Sequence, residues 1–151
     1  MEKPSARPRP GPNRSMPPGR IIPELAYDDV LEAARWLCRV FGFQERLRIG
    51  IHRVQLVYRE GSIVVTARGE GATPTNSSRN HAVMVCVDDV EQHFIHARAQ
   101  GARILSEPET HPFGERQYSA QDAGGHIWTF TQSVADVDPA AWGGQLMYAE
   151  E

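Results

Sequence analysis

The chain has 151 residues, 40% of them hydrophobic and 23% charged, with a formal net charge of −3, the size of one ordinary domain with enough apolar material for a core. No run approaches the roughly 18 apolar residues that a membrane span needs, and residues 1–20 contain no apolar segment of the secretory kind. Cys38 and Cys86 have neither metal-knuckle nor disulfide-framework spacing, so the expectation is a reduced, cytoplasmic protein.

Residues 1–20 hold five basic residues (Lys3, Arg7, Arg9, Arg14, Arg20) and one acid, Glu2, leaving 11 basic and 18 acidic residues in 21–151, a net −7. A body this acidic lacks the basic face that nucleic acid requires. It would favour a cationic ligand, but acidity is equally a solubility device. The same twenty residues carry six of the eleven prolines and no hydrophobic pattern, which predicts a disordered tail.

In chain order, an alternating apolar stretch from Ile21 to Tyr27 predicts a first strand. Val30, Ala33, Leu37 and Phe41 then form one helical stripe. Asp29 and Glu32 have capping-box spacing, and Gly42 stops the helix. Strands are expected at about 44–50, 52–59 and 62–67, with a turn at Glu60-Gly61, followed by a linker at 68–80. The pattern then repeats: Asp28-Asp29-Val30 recurs 60 residues on as Asp88-Asp89-Val90. A strand at 81–87 precedes it, and Val90, Phe94 and Ala97 make a second stripe behind an Asp89/Gln92 cap, ending at Gly101. Further strands are expected at about 102–106, 115–121 and 126–132. Between them 106–114, with Pro108, Pro112 and Gly114, reads as a loop able to cover a site. Residues 133–151 read as an irregular extension anchored by Trp142. The expectation is one α+β domain over 21–132, made of two β-α-β-β-β modules (21–67 and 81–132) whose curved mixed sheets surround a concave groove.

Alternation assigns the faces. Leu25 and Tyr27, Val83, Val85 and Val87, and Trp128 and Phe130 are expected to pack on the helices. Ile22, Glu24 and Ala26, Val65, Ala82, Met84 and Cys86, and Ile127, Thr129 and Thr131 are expected to face the groove.

These residues resemble the vicinal oxygen chelate superfamily of glyoxalases, bleomycin-resistance proteins and extradiol dioxygenases. The resemblance covers about 20–132. It is carried by Ile22-Pro23 through Tyr27-Asp28-Asp29, Trp36-Leu37, Phe41-Gly42-Phe43, Val87-Asp88-Asp89-Val90, Ala99-Gln100-Gly101-Ala102, Gly114 to Tyr118, and Asp122-Ala123-Gly124-Gly125-His126-Ile127-Trp128. Ala123 stands where proline is usual in the last motif. The resemblance implies eight strands in two sheets and, commonly, a homodimer. Metal-using members carry ligands at places that correspond here to Ile22, Val65, Ala82 and Thr129. None of these side chains is the imidazole or carboxylate that a divalent ion needs, and His81 is one residue out of phase. No metal and no cofactor are therefore expected.

Among residues able to carry chemistry, Glu24 is a carboxylate expected in an apolar groove, a candidate catalytic base or cation binder; a strand-end charge is the plain alternative. His52, placed on the third strand, is a second catalytic candidate or an exposed histidine. Arg116 and Tyr118 share a face of the seventh strand and could hold an anionic or aromatic ligand. His111 and Phe113 lie in the loop, and His93 and His96 read as solvated. With Ala26, Met84 and Thr129, the candidate ligand-binding set is Glu24, Ala26, His52, Met84, Phe113, Arg116, Tyr118 and Thr129. There is no Gly-x-Ser-x-Gly elbow and no phosphate-cradling loop. The expected function is metal-independent binding of a small organic ligand, an antibiotic or other cationic or aromatic molecule. The alternative is a lyase, isomerase or dioxygenase with an unconventional site. A third, weaker reading is a ligand-sensing partner whose tail makes the contact.

Overall fold

A computed structural model describes residues 13–68 and 81–147. The elements follow one another as β1 (Glu24–Tyr27), α1 (Val30–Phe41), β2 (Gln44–Ile49), β3 (Arg53–Tyr58), β4 (Gly61–Ala67), β5 (Val83–Cys86), α2 (Val90–Ala99), β6 (Arg103–Thr110), β7 (Glu115–Gln121) and β8 (Ile127–Ser133), with a 3₁₀ turn at Pro139–Trp142. The β-α-β-β-β order occurs twice. Each copy makes a four-stranded sheet, β1-β4-β3-β2 or β5-β8-β7-β6, in which the first strand runs parallel to the last and the other pairs are antiparallel. This is the α+β architecture expected.

The chain divides into two compact units, one holding β1 to β4, α1 and residues 123–126, the other β5 to β8 and α2. In the first, Asp29 caps α1 by accepting a hydrogen bond from the Glu32 amide, and Gly42 closes it at φ 87°, a conformation glycine adopts without steric cost. The stripe Val30, Ala33, Leu37 and Phe41 is buried against Leu25, Val54, Leu56, Ile63 and Val65. In the second, Asp89 caps α2 through the Gln92 amide, and Val90, Phe94 and Ala97 are buried with Tyr118, Ala120, Trp128 and Phe130. Inside this core the Trp128 indole donates to the buried Asp122 carboxylate at 3.0 Å.

Several expectations are corrected. Ladder partners project to the same side, and Val65 pairs with Leu25 and Val54, which puts it on the α1 side and not in a groove. The side of β4 turned away from the helix carries Ser62, Val64 and Thr66. His52 is not on β3 but in the turn before it, exposed. β6 extends to Thr110 through Pro108, with register shifts between Ile104 and Glu109, leaving 111–114 as the loop. An edge strand with bulges tolerates a proline that a central strand would not. Residues 13–20 of the expected tail are seated on the first sheet: the Arg14, Ser15 and Pro18 carbonyls accept hydrogen bonds from Arg46, Gln55 and Ser62. Residues 1–12, the linker from 69 to 80, and 148–151 lie outside the described residues.

Candidate functional site

In each unit α1 or α2 covers one sheet face, and the opposite, open face is turned away from the helix. On the first sheet the register places Glu24, Ala26, Arg53, Gln55, Val57, Ser62, Val64 and Thr66 on that face. Glu24 is exposed and forms an ion pair with Arg53, so the carboxylate expected as a lone base or cation binder already has a cation beside it. Ala26 is half-buried, and its carbonyl accepts a hydrogen bond from His126 Nε2 at 2.8 Å. Gln55, Val57, Ser62 and Val64 are buried.

On the second sheet the open face carries Met84 and Cys86 from β5, Thr129 and Thr131 from β8, and Glu115, Gln117 and Ser119 from β7. Met84 is 62% exposed. Its ladder partner Thr129 shares a hydrogen bond with the Ser119 hydroxyl at 3.1 Å. Thr131 donates to the Glu115 carboxylate at 2.7 Å and accepts from the Gln117 amide at 3.2 Å. A row of hydroxyl, amide and carboxylate groups thus lies beside an exposed thioether.

Arg116 and Tyr118 share a face of β7, as expected, but it is the α2 side. Arg116 Nε donates to Glu91 of α2 at 2.5 Å and its Nη1 to Thr110 at 3.0 Å. Tyr118 is fully buried. Its hydroxyl shares a 2.5 Å hydrogen bond with His93 Nδ1, and its ring stacks on Phe130. His93, expected to be solvated, is half-buried, its ring 4.2 Å from Phe130; His96 is exposed. Phe113 lies in the β6–β7 loop, stacked on His111 at 5.1 Å and edge-on to Trp142 at 5.7 Å. Residues that alternation missed are Glu115, Gln117 and Ser119. The signal was available: Tyr118 and Ala120 alternate with them as core-type residues, and the opposite parity of β7 turns the polar set to the other face.

A pocket of about 210 Å³ in the first unit lies between Tyr27, Asp28, Asp29, Glu32, Trp36 and Gly124. It opens at the start of α1, not on the open face. Gly124 is held there by the Arg68 guanidinium, which donates to its carbonyl at 2.7 Å and lies 3.5 Å from Asp28. Glu45 and Arg48 pair at 2.7 Å, and this hydrogen bond holds the Glu45 carboxyl below its ordinary value. Burial, with the Glu45 charge behind it, pushes the Cys38 thiol up.

The residues do not fit the divalent metal that some proteins of this architecture hold. Of the four places that the resemblance assigns to metal ligands, Ile22 and Ala82 precede β1 and β5, Val65 lies on the α1 side, and Thr129 is a hydroxyl. Glu24, the carboxylate on the open face of β1, is already paired with Arg53. Among the described residues no group of three His, Cys, Asp or Glu side chains is arranged to hold an ion.

Comparison with known proteins agrees with the architecture. Residues 21–130 match the model of the Glyoxalase/Bleomycin resistance protein/Dioxygenase superfamily. No curated protein matches. Among solved structures the chain is similar to TioX from Micromonospora sp. ML1, with 38% identity, a TM-score of 0.64, and 76% of this chain and 98% of that chain covered. TnmS3, an antibiotic binding protein from Streptomyces sp. CB03234, is 19% identical with a TM-score of 0.62, covering 74% and 93%. Lactoylglutathione lyase from Agrobacterium tumefaciens is 17% identical with a TM-score of 0.57, covering 78% and 96%. At those identities the last two show a shared fold and nothing further.

Proposed function

Because the chain belongs to the glyoxalase/bleomycin resistance protein/dioxygenase superfamily, we propose that it binds a small organic molecule without a metal ion, on the open face of the second sheet. The Met84–Thr129 pair carries this reading. Met84 is an exposed, polarizable apolar side chain, suited to an organic surface, and its ladder partner Thr129, at one of the places the family resemblance assigns to a metal ligand, offers only a hydroxyl. Beside it the Gln117–Thr131–Glu115 row orients its polar atoms in advance, so a ligand's polar groups meet a fixed pattern. Glu115 gives that row a negative end, which suits a ligand with a cationic group. An aromatic or cationic antibiotic, sequestered without turnover by a cytoplasmic homodimer, is the ligand class and setting that this chemistry suits. TnmS3 shows only that the same fold occurs in an antibiotic binding protein. The enzymatic alternative rests on Glu24 beside Arg53, a carboxylate whose charge its neighbour offsets.

The test is a thermal-shift panel of natural-product antibiotics on the full chain, with metal analysis of the same preparation. Metal is expected well below one ion per chain. A hit is expected to raise stability by about 2.7 kcal/mol at a hundredfold excess over its Kd and to do so equally in chelator. Met84→Ala is expected to weaken the hit about tenfold, the equivalent of ~1.5 kcal/mol of lost side-chain burial. Loss of the shift in chelator overturns metal independence, and unchanged binding by Met84→Ala overturns the placement on this face.

A further inference from the structure

On the first sheet the open face already has an occupant, and the chemistry of that contact is one-sided. Ser15 N–H is taken by the Asn13 side chain at 3.0 Å and Met16 N–H by the Asn13 carbonyl at 3.1 Å. Pro17 and Pro18 have no N–H. Residues 15–18 therefore present carbonyls and no amide donors outward. The sheet answers with donors only: Arg46 Nη2 to the Arg14 carbonyl at 2.9 Å, Gln55 Nε2 to Ser15 at 2.7 Å, and the Ser62 hydroxyl to Pro18 at 2.6 Å.

The donors are themselves arranged. A β-bulge between Glu45 and Leu47 turns Arg46 to the face that bears Gln55. Its Nη1 donates to Gln55 Oε1 at 2.6 Å, which leaves the Gln55 amide nitrogen to point at the segment. Gln55 pairs with Val64 and Val57 with Ser62, so the anchors Gln55 and Ser62 stand at opposite corners of a four-residue square. All four are buried, and so is Pro17. Pro17 and Pro18, with φ fixed by their rings, lose little entropy on docking, and their segment is held by side-chain donors to its carbonyls, with no β-ladder.

We propose that the open face of the first sheet, through Arg46, Gln55 and Ser62, is a binding site for a short, proline-containing peptide segment that enters through a turn, and that residues 14–18 are its resident, exchangeable occupant. This is separate from the ligand face of the second sheet and does not depend on it.

The probe is a fluorescein-labelled peptide of sequence Asn-Arg-Ser-Met-Pro-Pro-Gly-Arg, that of residues 13–20, titrated by anisotropy into the full chain. In the wild type the tethered segment competes at an effective concentration on the order of millimolar, so the peptide is expected to bind weakly. Pro17→Asp would place a charge at a buried position and release the resident segment. The peptide is then expected to bind at least about tenfold tighter, and adding Gln55→Leu to that variant is expected to reverse the gain. Equal affinity for wild type and Pro17→Asp, or no saturable binding to either, overturns the proposal. A readout free of any folding defect uses the unaltered chain: unlabelled peptide in excess over the effective concentration of the tethered segment is expected to move the Ser15 and Met16 amide resonances towards their disordered-chain positions, and unchanged resonances overturn exchangeability.

Discussion

Cys38 and Cys86 show how the same residue type is assigned different chemistry by its surroundings. Cys38 lies on α1, half-buried near the Glu45 carboxylate. Both the low dielectric and the neighbouring negative charge disfavour its thiolate. Cys86 lies exposed on the open face of the second sheet. Alkylation with iodoacetamide at pH 8, followed by peptide mass spectrometry, is expected to modify Cys86 first. Cys38 is expected to lag and to need a pH above the ordinary thiol range, because its folded-state value is raised. Glu45→Gln is expected to speed Cys38 by removing the repelling charge. A lag unchanged by that substitution would leave burial alone as the cause. Because Cys86 neighbours Met84, its labelling rate also reports occupancy of the face proposed to hold the ligand.

Among the elements, the β6–β7 hairpin is held by a contact that only glycine allows. Gly114 has φ 87°, and a Cβ there would meet the Ala135 carbonyl oxygen. Its own carbonyl accepts from the Val134 and Ala135 amides at 2.9 and 3.2 Å. Gly101, behind α2, has φ 96° with nothing within 4 Å of a Cβ. Gly101→Ala is expected to cost only the left-handed conformation, ~1–2 kcal/mol. Gly114→Ala is expected to cost that and the displacement of the segment at Ala135, giving the larger drop in thermal midpoint by calorimetry. Equal losses would show that the close approach contributes nothing. The same substitution is expected to disturb Phe113 and its packing on His111 and Trp142, visible as a change in tryptophan fluorescence.

For the whole molecule, the two units repeat one plan with different surfaces. The open face of the first is seated by its own residues 14–18, while the second presents Met84. Sedimentation of the full chain is expected to give a concentration-dependent homodimer. A monomer at all concentrations would remove the dimer from the proposed function. Ligand added at a hundred times its Kd is expected to raise the midpoint without changing its cooperativity.

What could be read from residue order alone was whatever depends on near neighbours. The two Asp-Asp-Val caps, the helical stripes, the glycine stops and the strand-helix repeat are local patterns, and the family resemblance rests on them. Within β1, β5 and β8 the expected faces agree with the strand register, because Leu25 and Tyr27, Val83 and Val85, and Trp128 and Phe130 recur at every second position. The tertiary structure decided the rest. Val65, Arg116 and Tyr118 lie on the helix side because register with a partner strand sets the face, and a shift of one residue reverses every side chain. Glu24 lost its solitary role to Arg53, 29 positions away, and residues 14–18 gained a seat on Gln55 and Ser62, 40 and 44 positions beyond their partners. Pairings at that separation depend on the folded chain bringing the partners together, and no local pattern encodes them.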